Sequence, residues 1–373
     1  MARPSTPALP AAPLGGASAA MPAEFAASAQ ALAQGYAQLM RKRLCLLLAM
    51  AIGLLLSVAA DLSVGSTDLG WATLATAVFL PSQVPLETAL IVQDLRLPYA
   101  LMAVLVGVAL SLAGAEMQTI LNNPLASPFT LGVSSAAALG AALALVLGLG
   151  IPGLPEEAMV PVNTFVFAFA SVLLLQATAR ARPGSRQILV LFGIALVFSC
   201  NALVALLQYV ASPDALQQLV FWSMGSLARA NWTKLQLLAL VIACVLPFSL
   251  RAAWQLNVLR LGEERTLSFG IDLNRLRLAS LLRVSLLAAT AVAFTGTIGF
   301  VGLVGPHIAR MLVGEDHRIF LPASALMGGL IMSLASIASK TLVPGTLLPV
   351  GIVTALVGVP LFVWLIFRSG ARA

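Results

Sequence analysis

Few side chains in this sequence have the types and spacing to do chemistry. His307 and His317 are its two histidines, and Cys45, Cys200 and Cys244 its three cysteines. The cysteines stand singly within apolar runs, so they read as small core residues and not as a disulfide framework. A zinc hydrolase needs His-Glu-x-x-His, and a serine hydrolase needs a Ser/His/Asp set at matched depth; neither pattern occurs. Lys340-Thr341 lacks the glycines of a phosphate loop, so the chain is expected to hydrolyse no ATP itself. Glu116 is the one acid inside a clear apolar span, where an ionisable group is a proton-relay candidate. It lies toward the end of that span, which also allows snorkelling or a pair with a neighbouring helix.

These residues need elements to hold them, and composition says what kind. Of 373 residues 60% are hydrophobic and only 9% charged, with mean hydropathy +0.99. That excess cannot be covered by a water-facing shell, so the chain is an integral membrane protein. Its apolar runs are continuous, without the alternation of a membrane β-barrel, and predict an all-α polytopic fold. About ten spans are expected, near 44–60, 97–121, 131–150, 158–178, 188–210, 233–250, two within 279–314, then 322–338 and 348–367. The 279–314 stretch would be ~54 Å long as one helix, against ~30 Å of hydrocarbon. Gly296, Gly299, Gly302 and Gly305-Pro306 are where it can break.

Residues 1–40 read as a Pro- and Ala-rich extension with a short amphipathic helix at 23–40, and 41–373 as the membrane domain. Asp61–Asp94 reads as an acidic linker, 215–227 as a short helix, and 251–277 as a charged, soluble loop with helical propensity. With the N-terminus inside, only Arg96, Arg229, Lys234 and Lys340 of the 21 bases fall outside. Positive-inside bias therefore accounts for the net charge of +7, gives an N-in, C-in topology, and leaves no need for nucleic acid. Leu105–Pro128 and Leu286–Arg310 each run a Gly/Ala-rich span into a Gly- and Pro-containing break, in opposite directions, which predicts an inverted repeat.

Three blocks carry a resemblance. The first holds Arg96-Leu97-Pro98, Gly107, Ala113-Gly114-Ala115, Gln118, Asn123-Pro124-Leu125-Ala126 and Pro128. The second holds Ile298-Gly299-Phe300-Val301-Gly302, Pro306-His307, Arg310 and Asp316-His317-Arg318, and the third Leu348–Gly358. In this order they resemble the FecCD-type permeases, membrane subunits of type II ABC importers for haem, ferric siderophores and cobalamin. In bare physical terms, Gly107, Gly114, Gly299, Gly302 and Gly358 let helices approach closely. Asn123-Pro124 ends a helix and supplies polar partners at membrane depth.

The resemblance implies a homodimer in a bacterial inner membrane, two cytoplasmic ATP-binding subunits and a periplasmic substrate-binding protein. It puts His307 in a packing motif and His317 in a cytoplasmic loop, with no metal or cofactor on this chain. Leu261, Gly262, Glu263 and Glu264 look like the element that couples to the ATPase. Tyr209 and Ser212 match the gate of a path lined by the fifth and tenth spans. Arg96 and Lys340 are expected to dock the binding protein, while Tyr99, Ser336 and Leu347 depart from charged residues usual in the family. Haem is favoured as cargo on overall resemblance. A proton-coupled transporter built on Glu116, working without an ATPase, is the alternative.

Overall fold

A computed structural model describes residues 23–65, 67, 69–181 and 186–370. The first 22 residues of the extension, Asp68, 182–185 of the basic loop and Arg372 lie outside the described residues. The chain divides into units 1–44 and 45–373. In the first, the helical stretch exposes Leu32, Tyr36 and Leu39. The second holds the membrane helices.

Among the described residues every regular element is helical. In chain order they are α1 (Ala23–Ser63), α2 (Trp71–Phe79), α3 (Leu86–Leu90), α4 (Leu97–Ile120), α5 (Val133–Leu147) and α6 (Glu156–Ala181). There follow α7 (Arg186–Val210), α8 (Pro213–Ser223), α9 (Trp232–Leu259), α10 (Glu263–Ser268), α11 (Leu273–Thr295), α12 (Val301–Val313), α13 (His317–Thr341) and α14 (Val350–Gly370). Seven of the described helices are long and apolar enough to cross a membrane, and α5, α12 and α14 are shorter apolar helices. These ten elements match the ten expected spans in order.

Local chemistry sets the boundaries. Asn231, Asp272 and Asp316 cap α9, α11 and α13 by accepting backbone N–H groups, at 2.9 Å from Lys234 N, 2.9 Å from Asn274 N and 3.1 Å from Arg318 N. The long apolar stretch breaks as expected between α11 and α12, where Gly296 has φ 76° and Phe300 φ 66°. That backbone finds partners outside its own helices. Thr295 O accepts from Ser226 N at 2.7 Å, and Thr297 Oγ1 donates to Ser223 O. Non-helical backbone is tolerated at membrane depth only when buried and partnered in this way.

The packing shows the inverted repeat. Exchanging α4 with α11, α5 with α12, α6 with α13 and α7 with α14 maps the contacts onto themselves. Thus α4–α13 answers α11–α6, α5–α6 answers α12–α13, and α5–α7 answers α12–α14. Tyr99 on α4 meets Ser339 near the end of α13, and Thr119 meets His317 at its start. The two helices are therefore antiparallel, and Glu116 near the C-terminus of α4 meets Arg283 in the first half of α11. At the α4–α13 crossing a Cβ on Gly107 would strike the Gly328 backbone, and where α4 meets α12 one on Gly114 would strike the Gly302 carbonyl. Gly358 is held against Phe300. Gly299 departs from the expected close approach: a Cβ there would meet Phe129 only at 3.8 Å, ordinary contact.

Two further expectations are corrected. The acidic linker is an ordered layer, because Leu74, Ala77 and Val92 form a small core and Gln93 donates to Ala77 O and Val78 O. The charged stretch 251–277 is mostly helix, in line with its helical propensity: α9 runs to Leu259, and only 260–262 and 269–272 interrupt it. Finally, Cys45 and Cys244 are exposed on helix surfaces, and only Cys200 is buried.

Candidate functional site

Around α10 the chain carries Arg260, Arg265, Arg275 and Arg277. Gly262 takes φ 113°, a conformation open to glycine, and turns the chain from α9 into α10. Leu261, Leu267 and Phe269 are exposed around α10, and Trp254 meets Phe269 edge-on at 6.4 Å between ring centroids. The two glutamates differ. Glu263 accepts from Arg277 at 2.8 Å, an internal pair, whereas Glu264 is exposed. Of the four residues expected to couple, Leu261 and Glu264 present side chains outward, Gly262 shapes the turn, and Glu263 anchors α10 to α11.

Behind α10 a polar network runs into the bundle. Asn257 donates to Asp316 at 2.8 Å and accepts from His317 N at 2.8 Å. The His317 ring spans Asn257 and Thr119, both at 2.7 Å, and packs edge-on against Phe320. His317 is thus 1% exposed at the first turn of α13, not in a solvated loop, because the Asp316 cap starts the helix there. Arg310 donates to Gln118 Oε1 at 3.0 Å, and Gln118 reaches Leu303 O, so these two motif residues tie α4 to α12. Arg260 pairs with Glu315. Glu116 is wholly buried, and Arg283 grips it with Nε at 3.0 Å and 3.1 Å and Nη2 at 2.6 Å. Of the readings open to Glu116, pairing with a neighbouring helix is the one observed. Asn123 closes the α4 end by accepting from Leu125 N at 2.9 Å, beside Asn122 at φ 47°, and Pro124 follows. Pro306 lies buried within α12, and His307 is only partly buried beside it.

The candidate path helices leave much of their surface uncovered. On α7, Phe198, Leu206 and Tyr209 face outward, with Tyr209 89% exposed, and on α14 Leu356, Val357 and Phe367 do the same. Asn201 adds an exposed polar group midway along α7. Ser212 caps α8, accepting from Ala215 N at 3.3 Å. A glycine junction joins α8, the α11–α12 break and the start of α14. A Cβ on Gly225 would strike Thr297 O, one on Gly296 would strike Trp222 O, and one on Gly351 would strike Met224 O. Gly351 N also donates to Gly225 O at 3.1 Å. The junction spans three distant stretches of chain, and nothing in their spacing announced it.

At the opposite end, Arg96 and Lys340, the two bases expected to dock the binding protein, are held within the fold. Arg96 is buried at 7% exposure and donates to Leu62 O at 2.9 Å, Thr67 O at 2.5 Å and Thr67 Oγ1 at 2.9 Å. It ends a π-helical stretch, Ile91–Arg96, whose wider turn aims it back at the end of α1. Lys340 is bonded to the Asp61 carboxylate at 2.8 Å and stands 4.7 Å from the Tyr99 ring centroid. Asp61 is 0% exposed and also accepts from Ser336 at 2.7 Å, so it is a buried counter-ion and not a linker acid. Two departures from the family pattern explain each other here. Ser336, where an acid is usual, is the donor to Asp61, and Tyr99 supplies the ring beneath Lys340. Leu347 is exposed beside them. The missed signal was periodic: Ser333, Ser336, Ser339 and Lys340 recur on one α13 face and meet Ser57, Asp61 and Tyr99.

Known proteins resemble this chain in sequence and fold. The FecCD transport family matches residues 51–368. The hemin transport system permease protein HmuU of Yersinia pestis is 37% identical over 318 residues, 85% of this chain and 95% of that protein. The vitamin B12 import system permease protein BtuC of Vibrio vulnificus is 36% identical over 276 residues, 74% of this chain and 82% of that protein. A solved inward-facing conformation of a metal-chelate type ABC transporter aligns with TM-score 0.76 at 32% identity, covering 87% of this chain and 99% of that one. With most of the chain matched and the motif residues in their packing roles, this multi-pass membrane protein belongs to the FecCD transport family.

Proposed function

We propose that the chain is the permease subunit of a binding-protein-dependent ABC importer that carries a bulky iron-containing ligand into the cytoplasm. Haem is the preferred cargo, ahead of ferric siderophores and cobalamin. Similarity to HmuU across 95% of that protein carries the reading. The working unit is a homodimer in the inner membrane of a bacterium, with two ATP-binding subunits inside and a binding protein outside. ATP acts on the partner subunits, and this chain holds no cofactor of its own.

The geometry supports each part. Exposed apolar residues around α10, with Glu264 free beside them, offer a cytosolic partner a small patch on the basic end. The network from Asn257 through His317 to Thr119 passes motion of α9 and α10 to α13 and α4. The uncovered faces of α7 and α14 suit a second copy and a path between copies, mostly apolar or small. Such walls hold a large ligand weakly and let it pass. Tyr209 and Ser212, at the α7–α8 corner, gate that path. Arg96 and Lys340 shape the outer docking end by fixing α1, α4 and α13, and contact the partner through that frame.

The cargo is tested by ATPase stimulation of the reconstituted complex with its binding protein loaded with haem, a ferric siderophore or cobalamin. The haem-loaded protein should stimulate most. Stimulation by cobalamin or a siderophore alone would overturn the preference for haem.

A further inference from the structure

The helical stretch before the first span is amphipathic. Leu32, Tyr36 and Leu39 recur at i, i+4 and i+7 on one face of α1, and Gln34, Gln38 and Arg41 recur with the same spacing on the opposite face. All six are exposed. The FecCD family match begins only at residue 51, downstream of the whole stripe.

The helix is also too long to be a span alone. Its 41 residues make about 60 Å of helix, twice the ~30 Å of hydrocarbon. Three consecutive bases, Arg41, Lys42 and Arg43, set the point where it leaves the lipid core, since 44–63 already measure ~30 Å. Residues 23–43 therefore remain on the inner side, and the division between units 1–44 and 45–373 falls at that same level. Arg41 and Lys42 are exposed, and no acid stands between Glu24 and Asp61 to neutralise them.

We infer that 23–43 is a surface anchor, with its stripe of Leu32, Tyr36 and Leu39 set into the inner leaflet and its basic triplet held against anionic lipid headgroups. Leu39 stands one helical turn from Arg43, so the leaflet is the apolar phase already within reach of the stripe. A tethered segment of this kind settles on the bilayer without the cost of a separate association. The opposite face carries uncharged glutamines and has its charge only beside the membrane, which suits a helix lying half in water. Tyr36 joins a ring to a hydroxyl, the kind of side chain that collects at the boundary between lipid and water. The triplet complements the negative surface potential of the inner leaflet. To lie along the surface the helix bends at the triplet, where the division between the units falls. The anchor goes beyond the importer reading and stands independently of it.

The test uses the full chain in nanodiscs, with Cys45→Ser, Cys200→Ala and Cys244→Ser as background. Single spin labels are attached on the stripe through Leu32→Cys or Tyr36→Cys, and on the opposite face through Gln34→Cys or Gln38→Cys. These positions are exposed, so the labels displace no packed side chain. Collisions with oxygen, which partitions into lipid, are compared with collisions with a water-soluble nickel chelate. The bilayers are phosphatidylcholine with or without phosphatidylglycerol. In the mixed bilayer the oxygen-to-nickel ratio should be about tenfold higher on the stripe than on the glutamine face. Omitting phosphatidylglycerol, or combining Arg41→Gln, Lys42→Gln and Arg43→Gln, should lower the stripe's ratio severalfold. The lipid comparison leaves the bases in place, so it is independent of any effect of their removal on insertion. Equal ratios on both faces would overturn the anchor, because the stripe would then stand in water. A stripe shielded from oxygen and nickel alike would overturn it in favour of a second copy covering the helix. Shielding that appears only when ATP-binding subunits are added would overturn it in favour of those subunits. A stripe in lipid whose ratio ignores phosphatidylglycerol would overturn the headgroup contact.

Discussion

The Glu116–Arg283 pair lets one interaction be measured cleanly. Glu116 is 0% exposed, Arg283 9%, and Arg283 also donates to Ser280 Oγ at 2.8 Å. Replacing Glu116 with Gln leaves a buried guanidinium without its counter-charge. Replacing Arg283 with Met leaves a buried carboxylate. Breaking such a pair from one side costs about 3–5 kcal/mol in soluble proteins. In detergent the separated helices find other partners, so the lower end, ~3 kcal/mol for each single change, is expected. The double change Glu116→Met with Arg283→Met removes both charges and leaves side chains of similar length. It should lie within about 1 kcal/mol of wild type, because uncharged packing replaces a pair that barely repays its desolvation. The assay is unfolding of the purified protein by titrated SDS in mixed micelles, followed through its 5 tryptophans, as a double-mutant cycle. A double variant that loses the sum of its two single losses would refute the reasoning. Uptake adds a second reading: a stable double variant should still transport when its ATPase is present, whereas a proton relay through Glu116 would lose transport altogether.

Glu264→Lys should uncouple ATP hydrolysis from uptake without changing melting temperature; normal uptake would contradict a partner contact there. Glu263→Lys should instead lower local stability by ~0.5–1 kcal/mol, since its pair with Arg277 is partly exposed, measured as faster hydrogen exchange over 260–275. Gly114→Ala should cost about 1–3 kcal/mol or more by driving a methyl onto the Gly302 carbonyl, while Gly299→Ala should stay within ~0.5 kcal/mol, both read by SDS unfolding. Ser212→Trp should slow uptake by narrowing the corner before α8. Ser212→Asn, which keeps the cap worth ~1 kcal/mol, should transport nearly normally, and equal rates for both would place the gate elsewhere.

The ten spans were legible because hydropathy and length speak directly to lipid, and the break at Gly296–Phe300 followed from a stretch too long for the hydrocarbon. The glycine contacts at Gly107, Gly114 and Gly302 were legible for the same reason: small residues on apolar helices are conspicuous. Gly299 was misread because a glycine beside a break serves the backbone rather than a helix contact. Charge was harder. Asp61 and Arg96 stand at the ends of apolar runs, where sequence alone suggests solvent; Asp61 is buried because α13 presents Ser336 and Lys340 across 275 and 279 residues of chain, and Arg96 because it turns back onto Leu62 and Thr67. The family resemblance implies a loop position for His317. The Asp316 cap turns that segment into a helix start and carries the ring inward.

Ligand accumulation in proteoliposomes tests the central claim most directly. Vesicles should contain the permease with its ATPase or without it, supplied with loaded binding protein, internal ATP or an imposed proton gradient. Accumulation should require the ATPase, ATP and the binding protein together, and should be indifferent to the gradient. Uptake driven by the gradient in vesicles lacking the ATPase would contradict the account.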